Sequence, residues 1–536
     1  MSCHRQPNKT WRSIFLVCWG SFLAASTAFA QQTYDVAVYG GTAAGVISAV
    51  SVAREGMKVV LLEPGEHLGG MASGGLSATD FGNQEVIGGY ALEFYERVGE
   101  RYKVDRYGVN AAWYYEPHVG ERVFDDMVKE AGVAVFFDHR LRERDGVTKT
   151  GARITEIRME NGARFRARIY IDSSYEGDLM AQAGVSYTWG RESASQYGES
   201  LAGVRMQAPY NQWQVKVSPY DKDGKLLPEV SQDAPGVPGT SDRKVQAYNF
   251  RLCLTQDSAD KIPFPKPDHY DPRQYELLAR LLHTSVQKNG HAPRFGDLVR
   301  MVKLPNGRVD ANNNGAFSTD HIGKSSKYPE ASYRRREEIW LEHENYTKGF
   351  FYFLAHDPRV PAELQKEVNT WGLARDEFSD TGSWPPQLYI REARRMIGDY
   401  VMTQKDLQTD RRKPDAIGMG SYQMDSHNTY RYVTADGSVA NEGDMQVSVE
   451  PYQIPYRVLL PKRTEAANLL VPVCISASHV AYSSLRMEPQ YMIMGQASGV
   501  AASIAIKEHK DVQEIDSDEL AAGLKRHGAT LEIEEP

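Results

Sequence analysis

Short apolar runs alternate with longer amphipathic ones through the first third of the chain, and the pattern changes after about residue 200. Asp35-Val36-Ala37-Val38-Tyr39 and Lys58-Val59-Val60-Leu61-Leu62-Glu63 are compact and rich in β-branched residues, as strands buried in a parallel sheet should be. Between them Val46, Ala49, Val50 and Ala53 recur at helical spacing, so a helix with a narrow face of small side chains can lie close on that sheet. Residues 85–128 read as helical, and Val133-Ala134-Val135-Phe136-Phe137 as a further strand. Alternation over 151–171 predicts a hairpin that turns at Asn161-Gly162. Beyond residue 200, Pro, Tyr, Trp and charged residues are frequent and long apolar strands are scarce. There 228–242 reads as loop, 244–255 as strand, and 272–282, 331–355 and 361–373 as helices. Residues 389–398 are expected to place Arg391, Arg394 and Arg395 on one side of a helix. Asn468 to Val473 reads as a core strand, and the small residues from Gly495 to Ala502 as a closely packed helix.

The turn between the first strand and first helix carries the clearest chemistry. Gly40-Gly41-Thr42-Ala43-Ala44-Gly45 follows the strand at once, and the second strand ends in Glu63. Gly40 permits the tight turn, and Gly45 lets the helix approach the sheet. The free N–H groups of the helix start attract a pyrophosphate, and the terminal acid is placed to accept from ribose hydroxyls. The arrangement predicts a bound dinucleotide. Thr42 departs from the G-x-G-x-x-G pattern: its β-carbon narrows the approach, and its hydroxyl offers a hydrogen bond in exchange.

Glu63-Pro64-Gly65-Glu66-His67-Leu68-Gly69-Gly70-Met71 resembles the segment after the second strand in FAD-dependent oxidoreductases of the glutathione-reductase-like superfamily. The resemblance implies FAD as cofactor, with Gly69, Gly70 and Met71 along its pyrophosphate and leading toward the flavin. Ile169-Tyr170-Ile171-Asp172-Ser173-Ser174 is similar to the superfamily's second FAD motif, in which Asp172 would help position the dinucleotide. Arg486-Met487-Glu488-Pro489 through Gly495-Gln496 to Ala502 resembles its closing motif. That implies a helix starting near Met487 whose N–H groups face the pyrimidine end of the flavin. The run 389–398 resembles an exported branch often labelled xanthan lyase by similarity. The fold implied is α/β: a Rossmann-like FAD-binding domain with a parallel sheet, helices and a ββα-type lobe, carrying an inserted α+β substrate or cap region.

Composition narrows the remainder. Residues 1–30 combine a basic start, an apolar run too short to span a bilayer and Ala28-Phe29-Ala30, which together read as a cleaved signal peptide and imply export to the periplasm or beyond. The layout expected is 1–30 signal peptide, 31–200 first part of the FAD-binding domain, 201–400 inserted region, 401–512 second part, and 513–536 C-terminal helix and tail. A net charge of −8 gives no electrostatic footprint for nucleic acid, and no membrane span is expected after signal cleavage. Of four cysteines only Cys253 and Cys474 remain in the mature chain, which removes iron–sulfur centres and CxxC redox pairs; these two pair or stay buried as thiols. Asp310-Ala311-Asn312-Asn313-Asn314-Gly315 imitates the start of an EF-hand loop, but His321 stands where its closing Glu belongs. It is read as an Asn/Gly-rich turn, and no metal is expected.

For catalysis the candidates are His479, His427 and Arg431, with His479 preferred because its loop leads into the closing motif. A neutral histidine suits removal of a hydroxyl proton while hydride leaves the same carbon. The partners expected are a small-molecule substrate, a sugar or sugar acid, and an electron acceptor that no motif identifies. Two other readings stay open: a flavin-dependent lyase or isomerase without net redox, and a carbohydrate-binding protein with a degenerate flavin site.

Overall fold

The computed structural model describes residues 32–104, 110–206, 210–234 and 236–533. The expected signal peptide lies outside them. Strand β1 (Gln32–Tyr39) is the centre of the main sheet, flanked in parallel by β2 (Val59–Leu62) and, beyond it, β3 (Ala134–Phe136). Next come β4 (Val147–Thr150) and β5 (Arg153–Arg158), and then β6 (Arg164–Asp172), which returns parallel to β1 with Tyr39 opposite Asp172. β4 and β5 form the antiparallel lobe along the first half of β6, and Leu469–Leu470 pairs in parallel with its second half. The hairpin of β5 and β6 turns at Asn161-Gly162 as the alternation predicts, with Gly162 at φ +87°. β1 and β6 therefore end side by side, at the point where the chain leaves the sheet in different directions.

Helices α1 (Ala43–Arg54), α2 (Gly89–Arg101) and α3 (Pro117–Ala131) cover one face, and α4 (Asp178–Gln182) and α5 (Ala194–Tyr197) are short. The expected helical stretch 85–128 is thus two helices. β7 (Tyr187–Thr188) leads into the second half. There β8 (Leu252–Thr255), β9 (Lys261–Ile262), β10 (Val299–Lys303), β11 (Arg308–Asn313) and β12 (Gly372–Ala374) form a second sheet, ordered β10-β11-β8-β12-β9. It packs with α6 (Glu276–Asn289), α7 (Tyr333–His356) and α8 (Ala362–Val368). β13 (Arg395–Met396) pairs with β7, and α9 (Gln404–Gln408) follows. α10 (His479–Leu485), α11 (Glu488–Glu508) and α12 (Ser517–Arg526) close the chain.

Three expectations change. Only the end of 244–255 is strand, because the earlier part divides its backbone hydrogen bonds among Asn428, His321, Tyr389 and the Ser325 side chain rather than forming one ladder. Residues 310–313 are the middle of a sheet and not a turn: Asp310 lies opposite Cys253, and its carboxylate serves Arg251 and two N–H groups. Residues 389–398 are extended or irregular, not helical, so Arg391, Arg394 and Arg395 diverge into separate ion pairs with Asp320, Asp178 and Glu192. Cys253 and Cys474 are both free and buried.

α11 is buried from Glu488 to Ile506, which its all-round run of apolar and small residues permits. It meets α1 backbone to backbone. A Cβ on Gly495 would stand 2.4 Å from the Ala44 carbonyl, and Ser48 Oγ donates to the Gly495 carbonyl at 3.1 Å. At the other end of α1's first turn, a Cβ on Gly45 would stand 1.8 Å from the Gly40 carbonyl. Gly45→Ala is therefore expected to cost at least the roughly 1–3 kcal/mol of an overpacked core and to lower the melting temperature in calorimetry. Gly296→Ala, whose added Cβ meets nothing, should leave it unchanged.

Candidate active site

Sequence and sheet geometry bring the turn, the second-strand acid and the double glycine to one place. Gly40 has φ +93°, and a Cβ there would lie 2.8 Å from the Ser174 nitrogen at the end of β6. Gly41 N–H donates to Glu63 Oε2 at 2.6 Å, and Gly65 N–H donates to Glu63 Oε1 at 2.6 Å. Burial pushes the Glu63 pKa to about 7 in spite of these two donors. Thr42 caps α1: its hydroxyl accepts from Gly45 N–H at 3.2 Å and donates to the Ser173 carbonyl at 2.8 Å. The hydroxyl expected to face a pyrophosphate is thus used to tie β1 to β6. Ala43 and Ala44 form the first turn of α1, whose leading N–H groups have no helical acceptor.

Gly69 N–H donates to the Gly41 carbonyl at 2.7 Å, which lays the double glycine beside the turn. A Cβ on Gly69 would strike Phe124, and one on Gly70 the Tyr175 hydroxyl, both at 2.5 Å. A cavity of about 590 Å³ opens here, lined by Gly40, Thr42, Glu63, Gly70 and Ser174 and faced by Trp340 of α7. Asp172 does not line it. Its carboxylate accepts from Met180 N–H at 2.7 Å and from Ser174 N–H and Oγ, so it folds the end of β6 to present Ser174 and Tyr175 to the cavity. Burial pushes its pKa to about 6. His67, at the mouth, is held by Glu121 at 2.8 Å and Asp380 at 3.3 Å.

From the double glycine a hydrogen-bond chain leads to α11. Met71 N–H donates to the Tyr175 hydroxyl, which donates to Glu488 Oε1, each at 2.8 Å. Met487 is the N-cap of α11 and offers no capping side chain, although the helix start is wholly buried. Glu488 Oε2 and both amide atoms of Gln490 are buried with no partner among the described residues. Burial pushes the Glu488 pKa to about 8. A buried helix end without a cap, ringed by unpaired polar atoms, calls for a polar ligand at that spot. The glycine cradle, the acid of β2 and this helix end fit the two ends of a flavin dinucleotide. Gly495 and Gln496 are not at the cavity: Gly495 packs on α1, and Gln496 Oε1 caps α2 by accepting from Tyr90 N–H at 2.9 Å.

Beside the start of α11 lies a closed ring of side chains that the sequence did not reveal as a unit. Arg391 Nη1 is 2.9 Å from Asp320 Oδ1, and Asp320 Oδ2 is 2.8 Å from His427 Nδ1. His427 Nε2 is 3.5 Å from Asp425 Oδ2, which is 2.9 Å from Arg486 Nη2. Arg486 Nη1 donates to the Tyr389 hydroxyl at 2.9 Å, and the Arg391 guanidinium lies 4.7 Å from the Tyr389 ring centre. The His427 and Asp425 side chains are 12% and 13% exposed and those of Arg391, Asp320 and Arg486 at most 4%, so the ring is least buried along its His427–Asp425 edge. Burial and Arg391 press the His427 pKa down, but Asp320 and Asp425 outweigh them and leave it above the ordinary imidazole value. Asp425 is held at about 2 by His427 and Arg486 against its burial.

His479 and Arg431 fall elsewhere. His479 Nδ1 contacts Glu392 at 2.8 Å and Nε2 contacts Ser426 Oγ at 3.2 Å, so both ring nitrogens are engaged; burial, aided by Arg395, pulls its pKa to about 3. Arg431 is a buried strut: it donates to Asn441 Oδ1 at 3.0 Å and the Ala316 carbonyl at 3.1 Å, with Phe317 under its guanidinium. The signal for the missed members was present in outline. Between Cys474 and Ile506 the only residues of fixed charge are Arg486 and Glu488, and isolated charges in a run bound for the core require partners there.

No protein of curated function matches the chain. Solved structures that resemble part of it include a mutant flavin monooxygenase from Stenotrophomonas maltophilia, at 16% identity over 30% of this chain and 42% of that one, TM-score 0.21. OxyS anhydrotetracycline hydroxylase from Streptomyces rimosus is 12% identical over 35% of this chain and 42% of its own, TM-score 0.24. NikD, an amino acid oxidase of nikkomycin biosynthesis, is 14% identical over 30% and 57%, TM-score 0.22. The chain thus spans about two fifths of the length of the first two of these, and likeness at this level carries no argument about function. The family model described as FAD dependent oxidoreductase matches residues 35–524, so the chain belongs to the FAD-dependent oxidoreductase family and its cofactor is FAD.

Proposed function

We propose that this oxidoreductase moves a hydride between FAD and a hydroxyl-bearing carbon of a small polar substrate, a sugar or sugar acid, at the ring around His427. The observation that carries the reading is the closed ring standing next to an uncapped, buried helix start. When bound, FAD supplies the hydride acceptor. The Gly40–Gly45 turn and the start of α1 would hold its pyrophosphate, Glu63 its ribose, and Glu488, Gln490 and the N–H groups of α11 its ring end.

His427 is the preferred base in place of His479. Asp320 holds Nδ1, while the 3.5 Å contact of Nε2 with Asp425 is too long for a firm hydrogen bond, which leaves Nε2 for a substrate hydroxyl. The substrate C–H bond gives up its electron pair as hydride, the O–H proton passes to Nε2, and a carbonyl results. Asp320 and Asp425 stabilise the imidazolium so formed. Arg391 and Arg486 fix the two carboxylates, and Tyr389 spans the guanidinia. Thr42 gives no support to a degenerate flavin site, since its hydroxyl is used in the cap of α1 and in the tie to Ser173. Export remains part of this reading, supported by residues 1–30.

The test is an anaerobic titration of the holoprotein with monosaccharides, glycosides and uronic acids. Net oxidation bleaches the flavin band, whereas an isomerase or lyase leaves it oxidised at steady state. His427→Ala is expected to slow flavin reduction by about 10²–10⁴, while His479→Ala, if it folds, should reduce its flavin at close to the wild-type rate. A base must be neutral, so the wild-type rate should rise with pH through a value above that of free histidine. Asp320→Asn removes an anion that raises the His427 pKa, so its profile should move to lower pH, with a lower plateau from the lost orientation. Glu63→Ala should weaken FAD binding by about tenfold to a hundredfold in equilibrium dialysis, the scale of losing hydrogen bonds to a charged acceptor.

A further inference from the structure

The charges gathered around the ring restrict what it can bind. Besides the ring, Arg251 is paired through two hydrogen bonds with Asp310, at 2.8 and 2.7 Å. A further carboxylate, Asp80, is hydrogen-bonded by Tyr422 and lies near enough to Arg251, Arg486 and Asp425 for their charges to act on it. The fixed cations are Arg251, Arg391 and Arg486, since His427 is neutral in the form that acts as base. The carboxylates are Asp80, Asp310, Asp320 and Asp425. Each cation faces a carboxylate, and none is left over for an incoming anion.

The unpaired atoms agree with that count. Arg391 Nε and Arg486 Nε are buried donors with no acceptor among the described residues. Asn249 lies beside them, its carbonyl accepting from Tyr389 N–H at 2.9 Å and its amide donating to Asn312 and to Thr319, the neighbour of Asp320. Asn249 Oδ1 is a buried acceptor with no donor. A carboxylate can only accept and an ammonium can only donate, so neither satisfies donors and acceptor together; a hydroxyl does both. Bringing in a carboxylate would also force it to compete with an aspartate for a guanidinium in a buried site, where an unpaired charge is costly.

We infer that the site selects an uncharged polyhydroxylated substrate and discriminates against its carboxylate counterpart, so that of the two classes above it takes the neutral sugar and not the sugar acid. This rests on the reading that the ring is the substrate site. The test uses FAD-loaded protein and the visible spectrum of the bound flavin, first with matched pairs: D-glucose and D-glucuronate, D-galactose and D-galacturonate, D-mannose and D-mannuronate. At least one neutral sugar should perturb the spectrum saturably, and its uronate should bind about tenfold more weakly or worse, the scale of one unpaired charge in a partly buried site. Acetate alone should have no effect.

Asp80→Asn supplies the converse. It keeps the side chain's shape and removes one negative charge near Arg251 and Arg486, which lowers the repulsion of an anion, so acetate should now perturb the flavin, and uronates should gain about tenfold while neutral sugars change little. Circular dichroism and FAD content establish that the variant is folded; should it fail to fold, the wild-type pairs decide alone. A uronate that binds wild-type protein more tightly than its neutral partner overturns the inference and leaves the substrate site standing. A folded Asp80→Asn protein that gains nothing for acetate or uronate overturns it equally. If no sugar or uronate alters the spectrum of fully loaded protein, the reading of the ring as a substrate site fails and this inference with it.

Discussion

The contact on which the rest depends is the backbone approach of α11 to α1. It joins the start of the chain to its end: Ala44 and Gly495 are adjacent, and Ser48 bonds across the gap. Close packing of this kind yields many small dispersion contacts at little cost in side-chain entropy. It also has a geometric consequence. With α11 pinned against α1, the first turn of α11 has one place to be, beside the carboxyl ends of β1 and β6. The cleft is thus framed by the turn after β1, the end of β6 and the start of α11. None of these is a site alone; the packing of two helices of small residues makes them one.

The second constraint is hydrogen bonding at depth. A buried helix start exposes N–H groups that water cannot reach, and the usual remedy is a capping side chain. α1 takes that remedy through Thr42, and α10 through Ser478. α11 has methionine at the corresponding position and surrounds it with unpaired polar atoms. The N-cap residues of α2 and α3 also offer no capping side chain, so it is the buried, unpaired Glu488 and Gln490 atoms at the start of α11 that mark it as an end awaiting a partner. Family membership supplies the ligand: FAD.

Local signals made the first part of the fold legible. β1, its glycine turn, α1 and β2 follow from hydrophobic period and turn chemistry, and their spacing was enough to locate the cradle. The site around His427 was not legible in that way, since its members come from segments near residues 320, 390, 425 and 486 and meet only through tertiary structure. Asp310 shows the mechanism of the miss. Its D-x-N-x-N-G setting reads as a turn, but the carboxylate finds Arg251 and two N–H groups, and the strand follows from those partners. Arg391, Arg394 and Arg395 mislead for the same reason. Their spacing fits a helix face, while each is drawn to a carboxylate far away in sequence, and three such pulls in different directions require an extended chain. Gln496 sits in a motif that points to cofactor, yet the motif's register places it one helix face away, where it caps α2.

The ring itself is hard to account for as a source of stability. Removing two arginines, two aspartates and a histidine from water carries a desolvation cost that mutual attraction repays only in part, and well-packed apolar residues often do as well or better. Stability alone would be served by the arrangement found at His479, where both nitrogens are engaged and burial keeps the imidazole neutral across the physiological range. His427 is held differently: with Asp425 it forms the less buried edge of the ring, one nitrogen is fixed firmly and the other loosely, and its carboxylate neighbours favour the charged form. A histidine kept near its own titration by two opposed influences can take up and release a proton, whereas one locked on both sides cannot. The same fold contains both designs within one polar layer, and the loosely held histidine is the more exposed of the two, at 12% of its side chain against 4% for His479.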